Sequence, residues 1–237
     1  KAYDGTLLEA RNLIGSYNPE QSKRVLLFAH WDSRPYSDHD PDPANLRKPL
    51  EGADDGASGV GVLLEIARQL GQQAPNIGVD ILFCDAEDYG TPEFVDDYQP
   101  DTWCLGSQFW AKNPHVKNYK AEFGILLDMV GGKGATFFRE FQSMRSAAPI
   151  VEMVWSKARD LGYGKFFINA DGGAITDDHQ YVISGRGIPS IDIINYDPDT
   201  ETGFASYWHT QKDNMDNIDR ETLKAVGQTV LEVIYNQ

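Results

Sequence analysis

The sequence predicts an α/β fold in which a mixed, mainly parallel central sheet is flanked by helices. Three observations lead to this prediction. Short, largely apolar runs that are typical of buried strands recur at residues 25–29, 79–83, 123–131 and 188–194. Amphipathic helical patterns separate these runs, and strands that alternate with helices favour a parallel sheet. Polar side chains of the types that bind metals follow several of the runs.

The length and apolar content suit one α/β domain, and we predict a single domain over residues 1–237. The formal net charge is −15, which argues against nucleic acid and anionic membrane surfaces as partners. No apolar run is long enough to span a membrane. Because the chain starts at Lys1 without a signal peptide, we expect a trimmed form of an exported protein (periplasmic, cell-surface or secreted).

The first elements are predicted to be a helix and a buried strand. Residues 4–13 fit a short amphipathic helix with its leucines facing inward. The strand at residues 25–29 runs into His30-x-Asp32, whose two side chains can share a face. An Asp-oriented imidazole is common at metal sites, although this short motif in isolation favours a surface turn.

Small and acidic residues precede the next helix, which is predicted to run to about Gly71. In residues 52–59, glycines let the backbone turn tightly, and Ser58 is expected to cap the helix. Asp54 and Asp55 therefore lie just before a helix N-terminus. One Asp would suffice for capping, so the second requires another explanation.

The strand at residues 79–83 ends in a cluster of acids that includes Asp85, Glu87 and Asp88. Ligands of open α/β sheets bind outside the carboxyl ends of the strands. Crowded carboxylates repel one another, and a bound cation would offset that repulsion. The alternative interpretation is a solvated acidic loop.

The second half of the chain continues the alternation of helices and strands. Helices are predicted over residues 103–113 and 148–161 and from residue 218 onward, with strands at residues 123–131 and 188–194. Asp128 is embedded in the first of these two strands. A buried carboxylate of this kind must be paired, hydrogen-bonded or metal-facing.

Ligand-type residues thus follow several strands. They are His30, Asp55, Glu87, Asp88, Asp128 and His209. Carboxylate oxygens combined with imidazole suit zinc. No Gly-x-Gly-x-x-Gly or P-loop motif indicates a nucleotide site, and no Gly-x-Ser-x-Gly elbow indicates a serine hydrolase.

Five motifs in order resemble those of the zinc-dependent aminopeptidases and glutaminyl cyclases, which share a zinc-dependent exopeptidase-like fold. They are His30-x-Asp32, residues 52–59, Glu87-Asp88, residues 127–131 and His209-Thr210. Three further features look more like the cyclases, of the bacterial type that resembles the animal enzymes. These are Trp208 directly before His209, Asp177-Asp178-His179, and Trp103 in the segment after the acidic pair.

The resemblance implies a glutaminyl-peptide cyclotransferase that converts N-terminal glutamine of peptides or proteins to pyroglutamate with release of ammonia. It implies one zinc per chain held by Asp55, Asp88 and His209. Glu87 would be the general acid/base, joined by Asp128 and Asp177 in a hydrogen-bond network, and Trp208 and Trp103 would line a dry substrate pocket. The family usually has Glu-Glu where this chain has Glu87-Asp88.

Two questions stay open at this point. All five ligand positions of a di-zinc aminopeptidase are occupied, so hydrolysis of N-terminal residues is the alternative function. A binding protein without catalysis would need Glu87 or a ligand to be missing, and none is. Cys84 and Cys104 fit either a disulfide or two buried thiols.

Overall fold

A computed structural model describes residues 1–237 as helical layers on both faces of a central sheet. The elements in chain order are β1 (Leu13–Tyr17), β2 (Arg24–His30), α1 (Ala57–Gln72), β3 (Gly78–Cys84), α2 (Leu105–Lys112), β4 (Gly124–Asp128), β5 (Phe137–Arg139), α3 (Phe141–Asp160), β6 (Phe167–Asp171), α4 (Asp178–Arg186), β7 (Ser190–Ile194), a 3₁₀ helix (Met215–Asn217) and α5 (Arg220–Tyr235). The sheet order is β1-β3-β2-β4-β7, and only β1 is antiparallel to its neighbour. The predicted mixed, mainly parallel sheet is confirmed.

Alternating side chains of the strands fill two separate cores. In β2, Leu27 packs in the larger core with residues of α1, α3 and α5. Its neighbour Phe28 faces the opposite side and packs with Trp110 of α2 and Val182 of α4. Because both faces are covered, the inner strands are apolar on both sides, which explains the continuous apolar runs in the sequence.

The parallel strands end along one edge of the sheet, and this edge positions the site. β2 ends at His30, which pairs in register with Cys84 at the end of β3. β4 ends at Asp128 on the other side of β2. Loops that leave these strand ends therefore bring their side chains together, as expected of open α/β sheets.

The helix predicted over residues 4–13 is wrong, because this segment is extended and leads into edge strand β1. Leu7 and Leu13, which were expected to face the core, are 82% and 49% exposed. The segment is held instead through its backbone: the Arg11 N–H donates to Asp85 (2.6 Å), and Leu13 pairs with Phe83 of β3. Hydrogen bonding to an open sheet edge thus overrides the weak helical pattern.

Two helix starts also differ from their predictions. α1 follows Gly56, which has a φ of 86°, without a side-chain cap; the Ser58 hydroxyl instead donates to the Asp54 carbonyl and accepts from the Val130 N–H. Ser58 therefore ties the helix to the loop after β4 rather than capping it. α3 begins at Phe141, seven residues earlier than predicted, because Glu140 accepts hydrogen bonds from the N–H groups of the first turn. Its backbone is non-helical at Ala147, so the helix predicted from residue 148 corresponds to the part of α3 that follows this kink.

The structure also resolves the alternatives for the two cysteines. Cys84 and Cys104 are both buried and unpaired, so they are thiols and form no disulfide.

Strands β5 and β6 form a separate parallel pair that the sequence did not reveal. No helix combines the length and the apolar character needed to cross a membrane.

We expect that Gly59→Ala will destabilise the fold, because Gly59 lets α1 lie directly against β4. A Cβ at this position would come within 2.2 Å of the Leu127 carbonyl oxygen and 3.0 Å of Ala29 Cβ. Overpacking of this kind typically costs ~1–3 kcal/mol. In contrast, Gly61→Ala in the same helix meets nothing within 4 Å and should gain ~0.5–1 kcal/mol from helix propensity. Urea unfolding of both variants checks this; equal stabilities would contradict the expected close contact.

Candidate metal centre and active site

The predicted ligand residues come together at the carboxyl edge of the sheet. Residues of β2, β4, the loop before α1, the loop after β3 and the loop after β7 meet there, and all are buried: His30, Asp55, Glu87, Asp88, Asp128 and His209. All of them except Glu87 fall into two groups that could hold a metal ion, and Asp55 belongs to both.

The first group consists of Asp55, Asp88 and His209. His209 Nε2 lies 3.4 Å from Asp55 Oδ2 and 3.3 Å from Asp88 Oδ1. Two ligands bound tetrahedrally to zinc at ~2.0–2.1 Å are separated by roughly 3.3 Å, so these distances fit a shared cation. The buried Oδ2 atom of Asp88 has no hydrogen-bond partner, which also fits a metal-facing carboxylate. Two carboxylates and one imidazole leave a fourth position open for substrate.

The second group consists of His30, Asp55 and Asp128. His30 Nε2 lies 3.0 Å from Asp55 Oδ1 and 3.2 Å from Asp128 Oδ1. Burial disfavours the charged imidazole, but hydrogen bonds that the ring donates to neighbouring carboxylates outweigh this effect and raise the pKa of His30 well above its usual value. Burial also raises the pKa of Asp128 to about 6. Asp128 thus hydrogen-bonds His30, which differs from the expected hydrogen bond between Asp128 and Glu87.

Asp32 holds the turn that carries the acidic pair. Its two carboxylate oxygens accept hydrogen bonds from the backbone N–H groups of Glu87 and Asp88, both at 3.0 Å. One of these oxygens also lies 3.6 Å from His30 Nδ1. The His30-x-Asp32 motif therefore does more than orient an imidazole, since it fixes the backbone from which Glu87 and Asp88 project.

Glu87 projects into a pocket of other acidic groups and is only 8% exposed. The Cys104 thiol donates to Glu87 Oε1 at 3.1 Å, and Asp177 lies beside both residues. Burial raises the pKa of Glu87 well above its usual range, and the charges of Asp177 and Asp88 raise it further against the opposing effect of His30. A carboxyl group whose pKa is raised in this way holds a proton more readily than an ordinary glutamate, as a general acid/base requires.

These groups line a cavity of about 310 Å³ with an aromatic wall. The Trp208 ring stacks on the His209 ring, with centroids 3.6 Å apart and an angle of 22°. Trp103 lies parallel to His209 at 6.2 Å and packs flat against Gly90, where a Cβ would come within 2.0 Å of the indole. Tyr98, Tyr196 and Phe204 are further aromatic residues of the lining. The cavity thus joins the first group, Glu87, Asp128, Asp177 and both predicted tryptophans in one space.

Only the first residue of Asp177-Asp178-His179 reaches this cavity. Asp177 caps α4 by accepting from the Asp178 N–H. Asp178 accepts from the Ser107 hydroxyl at 2.5 Å, and His179 Nε2 lies 3.2 Å from Glu140. The other two residues therefore anchor α4 to α2 and α3 behind the site.

The sequence did not predict several residues that support the site. The Tyr207 hydroxyl donates to Asp54, and the Gly131 N–H donates to the same carboxylate, which explains the second Asp before α1. Asp213 accepts from the Asp54 and Asp55 N–H groups at 2.8 and 3.1 Å. Burial and the neighbouring Asp55 charge raise the pKa of Asp213 to about 7.

Arg34 and Asp38 are a further buried pair that the sequence did not reveal. They lie in the loop after β2, each at most 8% exposed. No local pattern distinguishes them from other charged loop residues, because their partners Asp88 and His209 are distant in the chain.

Comparisons with known proteins place this geometry in a family. A family model described as peptidase family M28 matches residues 12–234. A solved zinc-dependent exopeptidase from Parabacteroides distasonis is 83% identical, with a TM-score of 0.99 over 100% of this chain and 81% of that chain. Tannerella forsythia glutaminyl cyclase is 72% identical, with a TM-score of 0.98 over 100% of this chain and 81% of that chain.

A more distant curated relative is the glutaminyl-peptide cyclotransferase of Bos taurus. It is 27% identical over 251 residues, which cover 94% of this chain. The chain spans 64% of the length of that relative. Since the family model covers almost the whole chain and the solved relatives share its fold, the chain belongs to peptidase family M28.

Proposed function

We propose that this protein is a zinc-dependent glutaminyl-peptide cyclotransferase that converts the N-terminal glutamine of peptides or proteins to pyroglutamate and releases ammonia. The observation that carries this proposal is a single cavity that joins a three-residue zinc-type ligand set, an acid of raised pKa and two tryptophans. The identity of 72% to the Tannerella forsythia glutaminyl cyclase supports it.

In this reaction the substrate's α-amine attacks its own side-chain amide carbon, the amide C–N bond breaks, and ammonia leaves. Zinc held by Asp55, Asp88 and His209 would supply a Lewis acid that polarises the amide oxygen. Glu87 would accept a proton from the attacking amine and return it to the departing nitrogen. Burial and the neighbouring charge of Asp177 both raise the pKa of Glu87.

The aromatic wall would keep water, the competing nucleophile, away from the amide carbon. Trp208 stacks on His209, and Trp103 packs parallel to the same ring, so both can cover a glutamine side chain that reaches the metal. We propose that this is the substrate-binding role of the two tryptophans.

We further propose one zinc per chain, bound by the first group. In the second group, His30 Nε2 lies at hydrogen-bond distance from both Asp55 and Asp128, so a proton on this nitrogen would offset their negative charges without a metal. The second candidate function, a di-zinc aminopeptidase, is supported by the same group, because its three residues also have suitable spacing for a second metal.

A product assay separates the two functions. We expect the zinc-loaded protein to release one ammonia from a glutamine-led peptide and to leave a leucine-led peptide unchanged, as mass spectrometry of the products would reveal. The same glutamine peptide with an acetylated N-terminus should not react, because its amine can no longer attack. Stepwise loss of whole residues, with two zinc ions per chain by elemental analysis, would instead establish the aminopeptidase.

A further inference from the structure

Arg34 is among the largest side chains that are fully buried, with 1% of its surface exposed. Removing a guanidinium from water carries a large desolvation penalty, so its contacts must be strong. Nε and Nη2 donate to the two oxygens of Asp38 at 2.7 and 2.6 Å in a two-bond fork. Nη1 donates to the backbone carbonyl of Asp88 at 2.9 Å and lies 3.4 Å from its Oδ1 atom. Arg34 thus holds two separate carboxylate residues at once.

Asp38 extends this arrangement to the imidazole of the first group. Its Oδ1 atom lies 3.4 Å from His209 Nδ1, on the side of the ring opposite the nitrogen that faces Asp55 and Asp88. A carboxylate in this position favours a proton on Nδ1 and leaves Nε2 free to bind a metal. Asp38 Oδ2 also accepts from the Glu93 N–H, so the carboxylate cannot easily rotate away.

Arg34 also contacts the aromatic wall. Its guanidinium carbon lies 4.5 Å from the Trp103 ring centroid, a distance typical of a cation–π contact. Arg34 therefore contacts the proposed ligand Asp88 directly and the cavity residue Trp103 through its guanidinium face. It contacts the proposed ligand His209 through Asp38. A lysine could supply the charge but not the planar fork that makes these contacts simultaneously.

We propose that Arg34 is a positioning residue that sets the orientation of Asp88 directly and that of His209 through Asp38, and thereby sets the affinity of the site for zinc. This inference rests on the proposed zinc-dependent function.

The test is zinc affinity of Arg34→Lys, measured by competition with a chromophoric chelator. Loss of a residue that orients metal ligands typically weakens metal binding about 10–100-fold, and we expect a loss in this range. In the glutamine-peptide assay, kcat should fall more than KM changes, because the contacts act on the metal ligands. Asp38→Asn, which keeps the shape of the side chain, should weaken zinc binding by a similar factor. If Arg34→Lys does not fold, the zinc affinity of Asp38→Asn tests the proposal instead.

Arg24→Lys is the matched control, because Arg24 makes a comparable fork with Asp80 at the opposite end of β2. It should reduce stability without changing zinc affinity. A folded Arg34→Lys or Asp38→Asn protein whose zinc affinity equals that of the unsubstituted protein would overturn the inference. If the unsubstituted protein binds zinc but releases no ammonia, the proposed function fails, whereas the comparison of zinc affinities still decides the role of Arg34.

Discussion

Glu87→Gln is expected to lower turnover of a glutamine-led peptide by ~10²–10⁴-fold, the usual contribution of a general acid/base. The amide has nearly the same shape as the carboxyl group but cannot accept and return the proton. Because the Cys104 thiol donates to Oε1, an oxygen that glutamine retains, the local contact should persist. Steady-state ammonia release by the zinc-loaded variant measures the effect.

Two further measurements make this result specific to proton transfer. Zinc content and thermal unfolding should match those of the unsubstituted protein, because Glu87 is not in the proposed ligand set. Glu93→Gln, a control at a carboxylate whose side chain is 70% exposed, should leave turnover unchanged. Near-normal turnover by a fully metallated Glu87→Gln protein would remove Glu87 from the role that we assign to it.

His209→Ala and Asp55→Ala are each expected to lose most of the bound zinc, and with it activity. A three-residue site that loses one ligand is severely weakened, because the remaining two rarely hold zinc against solvent. Asp55→Ala should lose more zinc than His209→Ala, because the two oxygens of Asp55 face His209 and His30 separately. Elemental analysis after dialysis checks both variants, and full zinc occupancy in either would show that the ligand set is wrong.

His30→Ala, compared with His209→Ala, distinguishes one bound zinc per chain from two. It removes an imidazole of similar burial from the second group and leaves Asp88 and His209 intact. With one zinc per chain, this variant should keep its metal while His209→Ala loses it. A halved zinc content in His30→Ala would instead indicate two occupied sites, as an aminopeptidase requires.

The sequence predicted the strands that are buried on both faces more reliably than the exposed or very short strands, for a physical reason. β2, β3, β4 and β7 are covered on both faces, so their apolar runs are visible without knowledge of the fold. β1 has no buried residue, and β5 spans only three residues. What creates β1 is the open edge of β3, which supplies hydrogen-bond partners that the pattern of residues 13–17 does not encode.

The sequence likewise predicted which residues meet at the site better than it predicted their partners. Hydrogen bonds across the chain, rather than neighbouring residues, decide the partners of Asp128, Arg34 and Asp213. Asp128 was expected beside Glu87, yet its position at the end of β4, next to β2, brings it to His30. The order of the motifs therefore identifies which residues form the site, whereas the order of the strands decides which of these residues contact one another.

By itself, the sequence determined the α/β class, the family resemblance and the set of ligand-type residues, because apolar periodicity and ordered motifs are local properties of the chain. Only the tertiary structure decided that Asp55 belongs to two candidate metal groups, that the cysteines are unpaired, and that a buried Arg34 holds Asp38 and Asp88. These features depend on distances between residues that lie far apart in the chain, and the packing of helices against both faces of the sheet sets those distances.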